Sequence, residues 1–166
     1  MRSLLSLLIL GVALLFQSAV VSRINLLAGC ADLVLLVVAA WCVQLNARHA
    51  WLWALAAGLL VGSMSQLPLL VPLAAYGLMA WLARLLTRRI WQAPLLGMFL
   101  VVFAGTLFLH SFTYITLWFQ DTQLPLGESF LQIILPSTLL NLMLAAPVHA
   151  LMRDLALWAH PLELET

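Results

Sequence analysis

Long apolar runs separated by short polar breaks dominate the pattern of this chain. The runs consist almost entirely of Leu, Val, Ala, Phe and Trp, as expected of helices that cross a bilayer. The second and third runs are short for a hydrocarbon core about 30 Å thick, so a reentrant or interfacial pair is an alternative there. The predicted helices are at about 3–21, 31–46, 50–64, 67–86, 94–118 and 129–152.

Composition supports a membrane protein. Of the 166 residues, 65% are hydrophobic and only 8% are charged, whereas about a quarter of the residues in soluble domains are charged. We therefore expect one all-α, polytopic integral membrane domain covering 1–166. The apolar N-terminal segment also resembles a secretory signal peptide, but it is long enough to span, which favours a retained helix. The net charge of +1, without any lysine, argues against nucleic-acid binding.

The arginines predict the orientation in the membrane, because short cytoplasmic loops hold most of the positive charge. If the N-terminus is cytoplasmic, six of the seven arginines are cytoplasmic and only Arg23 is outside. Both termini are then inside. Arg84, Arg88 and Arg89 form the one cationic cluster, which we interpret as a topology anchor. Contact with anionic lipid or a cytoplasmic partner is a second interpretation.

Polar residues inside the predicted helices are the candidate functional residues, because a polar group in hydrocarbon is costly without a partner. Most of them fall in the outer half of the predicted spans. They indicate either hydrogen bonds between helices, or an outward-facing polar cavity or docking face for another protein's transmembrane helix. The candidate partner-binding residues are Gln17, Asp32, Gly58, Gly62, His110, Tyr114, Pro136 and Asn141.

Several of these candidates also have local explanations. Asp32 is placed to cap the second helix, since a carboxylate accepts hydrogen bonds from the free N–H groups there. Gly58 and Gly62 remove bulk from one helical stripe, which suits an intramolecular helix pair or a partner helix. Pro136 frees the carbonyl of Gln132, and we expect a polar group or water to bond that carbonyl.

The sequence lacks the patterns of known catalytic and metal sites. It has no His-Glu-x-x-His motif, no Gly-rich phosphate loop and no cluster of cysteines and histidines. Cys30 and Cys42 are expected at opposite ends of one helix, about 18 Å apart and unpaired. We therefore predict a protein that is not an enzyme and needs no cofactor or metal.

Four stretches follow one another along the chain in a recognisable order. They are Phe16-Gln-Ser-Ala19, Ala31-Asp-Leu-Val-Leu35, Ala75-Tyr-Gly-Leu-Met-Ala-Trp-Leu-Ala-Arg84 continuing to Arg88-Arg89, and Leu135-Pro-Ser-Thr-Leu-Leu-Asn141. Together they resemble MreD, the rod shape-determining membrane protein family of bacteria. This chain differs at Ala31, where the family usually has proline, and in lacking an acidic residue between Gly62 and Pro68.

The resemblance implies a non-enzymatic scaffold of the cell-elongation (rod) complex, supporting peptidoglycan synthesis and cell shape from the bacterial inner membrane. MreD-like proteins bind MreC, a single-span protein with a periplasmic coiled coil. Their other partners are a RodA-type glycosyltransferase, a class B penicillin-binding transpeptidase and the MreB filament.

The family fold is similar to the six-helix substrate-binding component of energy-coupling-factor transporters. A vitamin-binding transport component is therefore the alternative function. In such components the first helix carries an Ala-x-x-x-Ala docking stripe. Here Ala13 is followed four residues later by Gln17, which counts against that alternative.

Overall fold

The computed structural model describes residues 2–19, 25–44, 50–65, 67–89, 93–120 and 125–159. Most of the chain is helical, as predicted. A π-helical turn, Phe130–Ile134, joins the last two helices without a break. The elements are α1 (Arg2–Ala19), β1 (Asn25–Leu26), β2 (Gly29–Cys30), α2 (Leu33–Cys42), α3 (Ala50–Met64), α4 (Leu70–Arg89), α5 (Pro94–Phe119), α6 (Leu126–Ser129) and α7 (Leu135–Ala159).

Two helices differ clearly from their predicted bounds. The second was expected at 31–46, and α2 begins two residues after that start, at Leu33, but ends earlier, at Cys42. The last was expected at 129–152, but helical backbone begins at Leu126 and continues to Ala159. Pro136 cannot donate a backbone hydrogen bond, and the π-helical turn before it, with Leu135 N–H bonded to the Phe130 carbonyl, lets the helix continue.

Among the described residues, two helices are long and apolar enough to cross a membrane, namely α5 and the continuous helix Leu126–Leu157. Only 33% of the most apolar window of each is buried within the protein. A core helix of a soluble protein would bury most of such a surface. The exposed apolar side chains of these two helices therefore form a surface of the kind that lipid covers. Shorter apolar helices are Leu8–Ala19, Leu33–Cys42, Ala50–Met64 and Leu70–Leu86.

The core is built around α2. Every residue from Val34 to Val43 is buried, and α2 packs against α1, α3, α4, α5 and α7. Its sequence, Leu-Val-Leu-Leu-Val-Val-Ala-Ala-Trp-Cys, is apolar on all sides, which is typical of a helix surrounded by other helices. α2 is therefore the central helix of the bundle.

α2 and α7 run in the same direction. At the start of α2, the backbone N–H of Asp32 donates to Oδ1 of Asn141 over 2.7 Å. Beyond its other end, Nε2 of Gln44 donates to the carbonyl of Met152 over 3.2 Å. The paired residues are 109 and 108 positions apart, so the two helices keep one register along the whole length of α2.

The β-hairpin packs against the π-helical turn. Its two-residue turn consists of Leu27 and Ala28. The N–H of Ala28 donates to the carbonyl of Gln132 over 3.1 Å. This is the carbonyl that Pro136 leaves free, so the expected polar partner is a backbone N–H of the hairpin.

The turn is strained at one residue. Leu27 has a φ of 56°, in the left-handed region, which costs a residue with a side chain about 1–2 kcal/mol. Two-residue hairpin turns usually place Gly, Asn or Asp at such positions. The neighbouring contacts of the hairpin with α7 hold the turn in this shape.

Gly29 marks the closest approach of the hairpin to α7. A Cβ built at Gly29 would lie 2.7 Å from the backbone nitrogen of Ser137 and 2.8 Å from the carbonyl oxygen of Ile133. Both are backbone atoms, which cannot rotate away as a side chain can. Glycine is therefore required for the hairpin to dock.

We expect Gly29→Ala to separate the hairpin from α7 and to lower the free energy of unfolding by about 1–3 kcal/mol, the usual cost of overpacking. Gly77→Ala is the matched control, because nothing lies within 4 Å of a Cβ built at Gly77 in α4. Reversible unfolding in mixed micelles measures both. Equal stabilities for the two variants would contradict the close approach at Gly29.

Candidate functional site: a buried polar cluster

Five polar side chains from different helices meet beside the start of α2. We call them the central cluster: Gln17, Asp32, Tyr76, Thr106 and Asn141. Tyr76, Thr106 and Asn141 are each only 1% exposed. Buried polar groups of this kind are costly unless hydrogen-bonded, so their partners decide what the cluster does.

Gln17 joins α1 to the start of α2. Its side-chain Nε2 donates to the carbonyl of Ala31 over 2.7 Å, and its Oε1 accepts from the backbone N–H of Leu33 over 2.6 Å. The first N–H groups of any helix have no partner within the helix. Gln17 supplies that partner for Leu33 and uses both ends of its amide.

Asp32 caps α2, as predicted. Its backbone is extended, and its Oδ1 accepts from the N–H of Leu35 over 2.9 Å. Its other oxygen, Oδ2, accepts from the hydroxyl of Tyr76 over 3.4 Å. One carboxylate oxygen therefore stabilises the helix start, and the second connects it to α4.

Asn141 joins α2, α5 and α7. Its Oδ1 accepts from the N–H of Asp32, and its Nδ2 donates to Oγ1 of Thr106 over 2.9 Å. Thr106 donates its own hydroxyl proton to the carbonyl of Val102 over 2.8 Å. The amide orientation is determined by these partners, because the opposite orientation would place its NH₂ group against the N–H of Asp32.

The central cluster lies near the middle of the two long helices. Thr106 is close to the midpoint of α5, and Asn141 is close to the midpoint of Leu126–Leu157. The sequence predicts Gln17 and Asp32 in the outer half of their spans or at its edge. The structure instead places them beside these midpoints, because Asp32 bonds Asn141 and Gln17 bonds Leu33.

The polar residues of α5 are divided between two environments. Thr106 belongs to the central cluster, whereas His110 and Tyr114, one and two turns further along, are half-buried. Thr113 donates its hydroxyl to the carbonyl of Leu109 in the same helix over 2.8 Å. The structure therefore does not bring His110 and Tyr114 into the central cluster.

The glycine stripe of α3 lies against α4. A Cβ built at Gly58 would lie 3.0 Å from the Cα of Leu73, and one at Gly62 would lie 2.6 Å from the side chain of Leu69. This is the intramolecular helix pair that the sequence left open. A partner helix at Gly58 and Gly62 would have to displace α4.

Other predicted positions fall outside the central cluster. Arg84 is exposed on α4, while the side chains of Arg88 and Arg89 lie outside the described residues. Pro136 is buried beside the π-helical turn. Cys30 and Cys42 are both free thiols, but Cys30 lies in β2 and not at the end of a helix as expected. Within the described ranges, no three His, Cys, Asp or Glu residues are grouped to hold a metal ion.

Tyr76 is a member of the central cluster that is not among the candidates predicted from the sequence. It lies in an apolar helix, and a tyrosine there is equally consistent with a position at the membrane surface. Its spacing from Ala75, Met79, Ala80 and Ala83, all buried, marks it as inward-facing on α4. That spacing was the available signal.

Comparison of the chain with protein-family models, with curated proteins and with solved structures found no match.

We expect Thr106→Val to destabilise the protein by about 1 kcal/mol, because it removes the oxygen that accepts a hydrogen bond from Asn141. Hydrogen bonds between membrane helices contribute about 0.6 kcal/mol on average and about 1.7 kcal/mol at most. Thr113→Val is the control, since it removes a hydroxyl that bonds its own helix. Unfolding in mixed micelles measures the difference. If Thr106→Val were as stable as the control, the hydrogen bond from Asn141 to Thr106 would not contribute to the stability of the protein.

Proposed function

We propose that this chain is a non-enzymatic, MreD-like scaffold of the bacterial cell-elongation (rod) complex, which binds an MreC-like single-span coiled-coil protein. One observation carries the proposal. Each of the four stretches that resemble the family provides one side chain to the central cluster, and these side chains are Gln17, Asp32, Tyr76 and Asn141. Motifs that are far apart in the sequence thus contribute to the same hydrogen-bonded cluster.

The hydrogen-bonding capacity of the cluster favours a scaffold over ligand binding. Gln17 and Asn141 use both ends of their amides within the protein, and both carboxylate oxygens of Asp32 are bonded. A vitamin or substrate would have to displace these bonds. Groups arranged in this way hold helices in fixed positions, which is what a scaffold requires.

We place the protein in the inner membrane with six spans and both termini in the cytoplasm. α4 and α7 each pack against α5 and are joined to it by short connections, so both run opposite to α5. Their C-terminal ends, with the exposed Arg84 and Arg153, lie on one side of the bundle, and the exposed Glu128 lies on the other. The positive-inside rule makes the arginine side cytoplasmic.

The outer half of α5 is our proposed contact for the single-span partner. His110 and Tyr114 are half-exposed there, among the exposed apolar residues Ile115 and Trp118. Polar side chains beside an apolar surface allow hydrogen bonds to a second transmembrane helix. The RodA-type glycosyltransferase, the class B penicillin-binding transpeptidase and the MreB filament are the further partners that the resemblance implies.

Orientation can be tested with single cysteines in a Cys30→Ser, Cys42→Ala background. Gly127→Cys lies at the outer end of the last helix in open space, and Asp154→Cys lies exposed near its inner end. We expect a membrane-impermeant maleimide to label Gly127→Cys in intact cells and Asp154→Cys only after permeabilisation. The opposite result would reverse the orientation, and labelling of both in intact cells would overturn the spanning assignment.

Scaffold function can be tested by co-purification in mild detergent from a rod-shaped host. We expect the wild-type chain to retain a single-span coiled-coil protein and a cell-wall synthase. Asn141→Leu should retain less of both while still inserting, because it leaves the N–H of Asp32 and the oxygen of Thr106 without their partner. Thr113→Val should behave like the wild type.

Two outcomes would contradict the scaffold proposal. One is that the wild-type chain retains neither a coiled-coil partner nor a synthase. The other is that native mass spectrometry of the purified protein finds a stoichiometric small molecule, which would support the vitamin-binding alternative. Unchanged assembly of Asn141→Leu would show that the central cluster does not determine the partner surface.

A further inference from the structure

The tip of the β-hairpin is apolar, exposed and strained. Leu26 and Leu27 are 46% and 74% exposed. Within the described residues, Leu27 is the only non-glycine residue with a positive φ. Glycine or asparagine would adopt this turn with less strain. A large apolar side chain at such a strained position indicates that the side chain contacts something outside the folded bundle.

The hairpin backbone is suited to a position next to lipid. Hydrocarbon provides no hydrogen bonds, so backbone polar groups at that depth need partners within the protein. β1 and β2 pair with each other, and the turn residue Ala28 donates to the carbonyl of Gln132. The tip therefore presents side chains to its surroundings while these backbone groups remain bonded.

The depth of the tip follows from its position beside α7. Ala28 bonds Gln132, which is nine residues before Asn141. At 1.5 Å per residue the tip is about 14 Å from the level of Asn141, which lies near the middle of the spanning helix. Half of a typical hydrocarbon core is about 15 Å thick. The tip thus lies close to the boundary between acyl chains and headgroups.

Exposed apolar side chains of the last helix lie close in sequence to Gln132, where the hairpin docks. Leu131 on the π-helical turn and Leu135 at the start of α7 are both exposed beside the hairpin's docking site. The side chains described on the hairpin, those of residues 26–30, carry no acidic or basic group. An apolar surface at this depth matches lipid better than water.

We propose that Leu26 and Leu27 insert into the outer lipid leaflet at the boundary between acyl chains and headgroups, so that the hairpin anchors the outer half of the second span. The occupant of this surface is lipid. α2 fills only the inner half of the span, from Asp32 to Gln44, and the hairpin fills the rest. This inference depends on the proposed membrane topology.

The test is spin labelling of the full-length protein in the Cys30→Ser, Cys42→Ala background, in vesicles of phosphatidylethanolamine and phosphatidylglycerol. Labels go on Leu27→Cys and separately on Leu26→Cys, which has an ordinary backbone conformation. Collisions with oxygen report acyl chains, and collisions with a water-soluble nickel chelate report water. Leu139→Cys, exposed near the middle of the last helix, and Gly127→Cys, at its outer end, are the reference positions.

We expect both tip labels to collide with oxygen more than Gly127→Cys does, and with nickel several-fold less. A nickel collision rate equal to that of Gly127→Cys would place the tip in water and overturn the proposal. Low collision with both reagents would show that protein covers the tip, and would also overturn it. A water-like signal at Leu139→Cys would instead overturn the spanning topology, so the two failures are distinguishable.

Discussion

A helix that begins inside a protein has free backbone N–H groups at its start that water cannot reach. The need to give these groups hydrogen-bond partners organises the whole structure. α2 starts beside the middle of the two long helices, and three of its first N–H groups need partners from elsewhere. Asn141 accepts from Asp32, Gln17 accepts from Leu33, and the Asp32 carboxylate accepts from Leu35. The helices that carry these acceptors are thereby fixed around α2.

The irregular features of the bundle lie together just before the start of α2. The chain enters α2 through a β-hairpin, whose second strand ends at Cys30, two residues before the cap at Asp32. The hairpin fits because Gly29 allows backbone contact with α7, and because Pro136 leaves the Gln132 carbonyl free to bond Ala28. The π-helical turn, the proline, the glycine and the strained Leu27 form one connected arrangement.

A cluster of this kind is suited to holding helices in place. Its hydrogen bonds connect α1, α2, α4, α5 and α7 through five side chains that are each bonded to protein atoms. In hydrocarbon, packing and such polar contacts hold helices together, because lipid supplies no hydrophobic force between them. The protein thus combines bonded polar groups on its inside with exposed apolar side chains on α5 and α7.

The sequence by itself determined the helical class and the approximate helices, because these follow from local periodicity. It also determined the cap at Asp32, a carboxylate at a helix start, and the freed carbonyl at Gln132, which follows from the missing N–H of proline. Only the tertiary structure decided which polar residues meet. Tyr76 and Thr106 join Asp32 and Asn141, while His110 and Tyr114 do not, because contact depends on the register between helices. The β-hairpin before α2 and the contact of Asp32 with Asn141, which places the cluster beside the midpoints of the two long helices, were also decided there. Apolar periodicity shows neither a two-residue strand pair nor the register between helices.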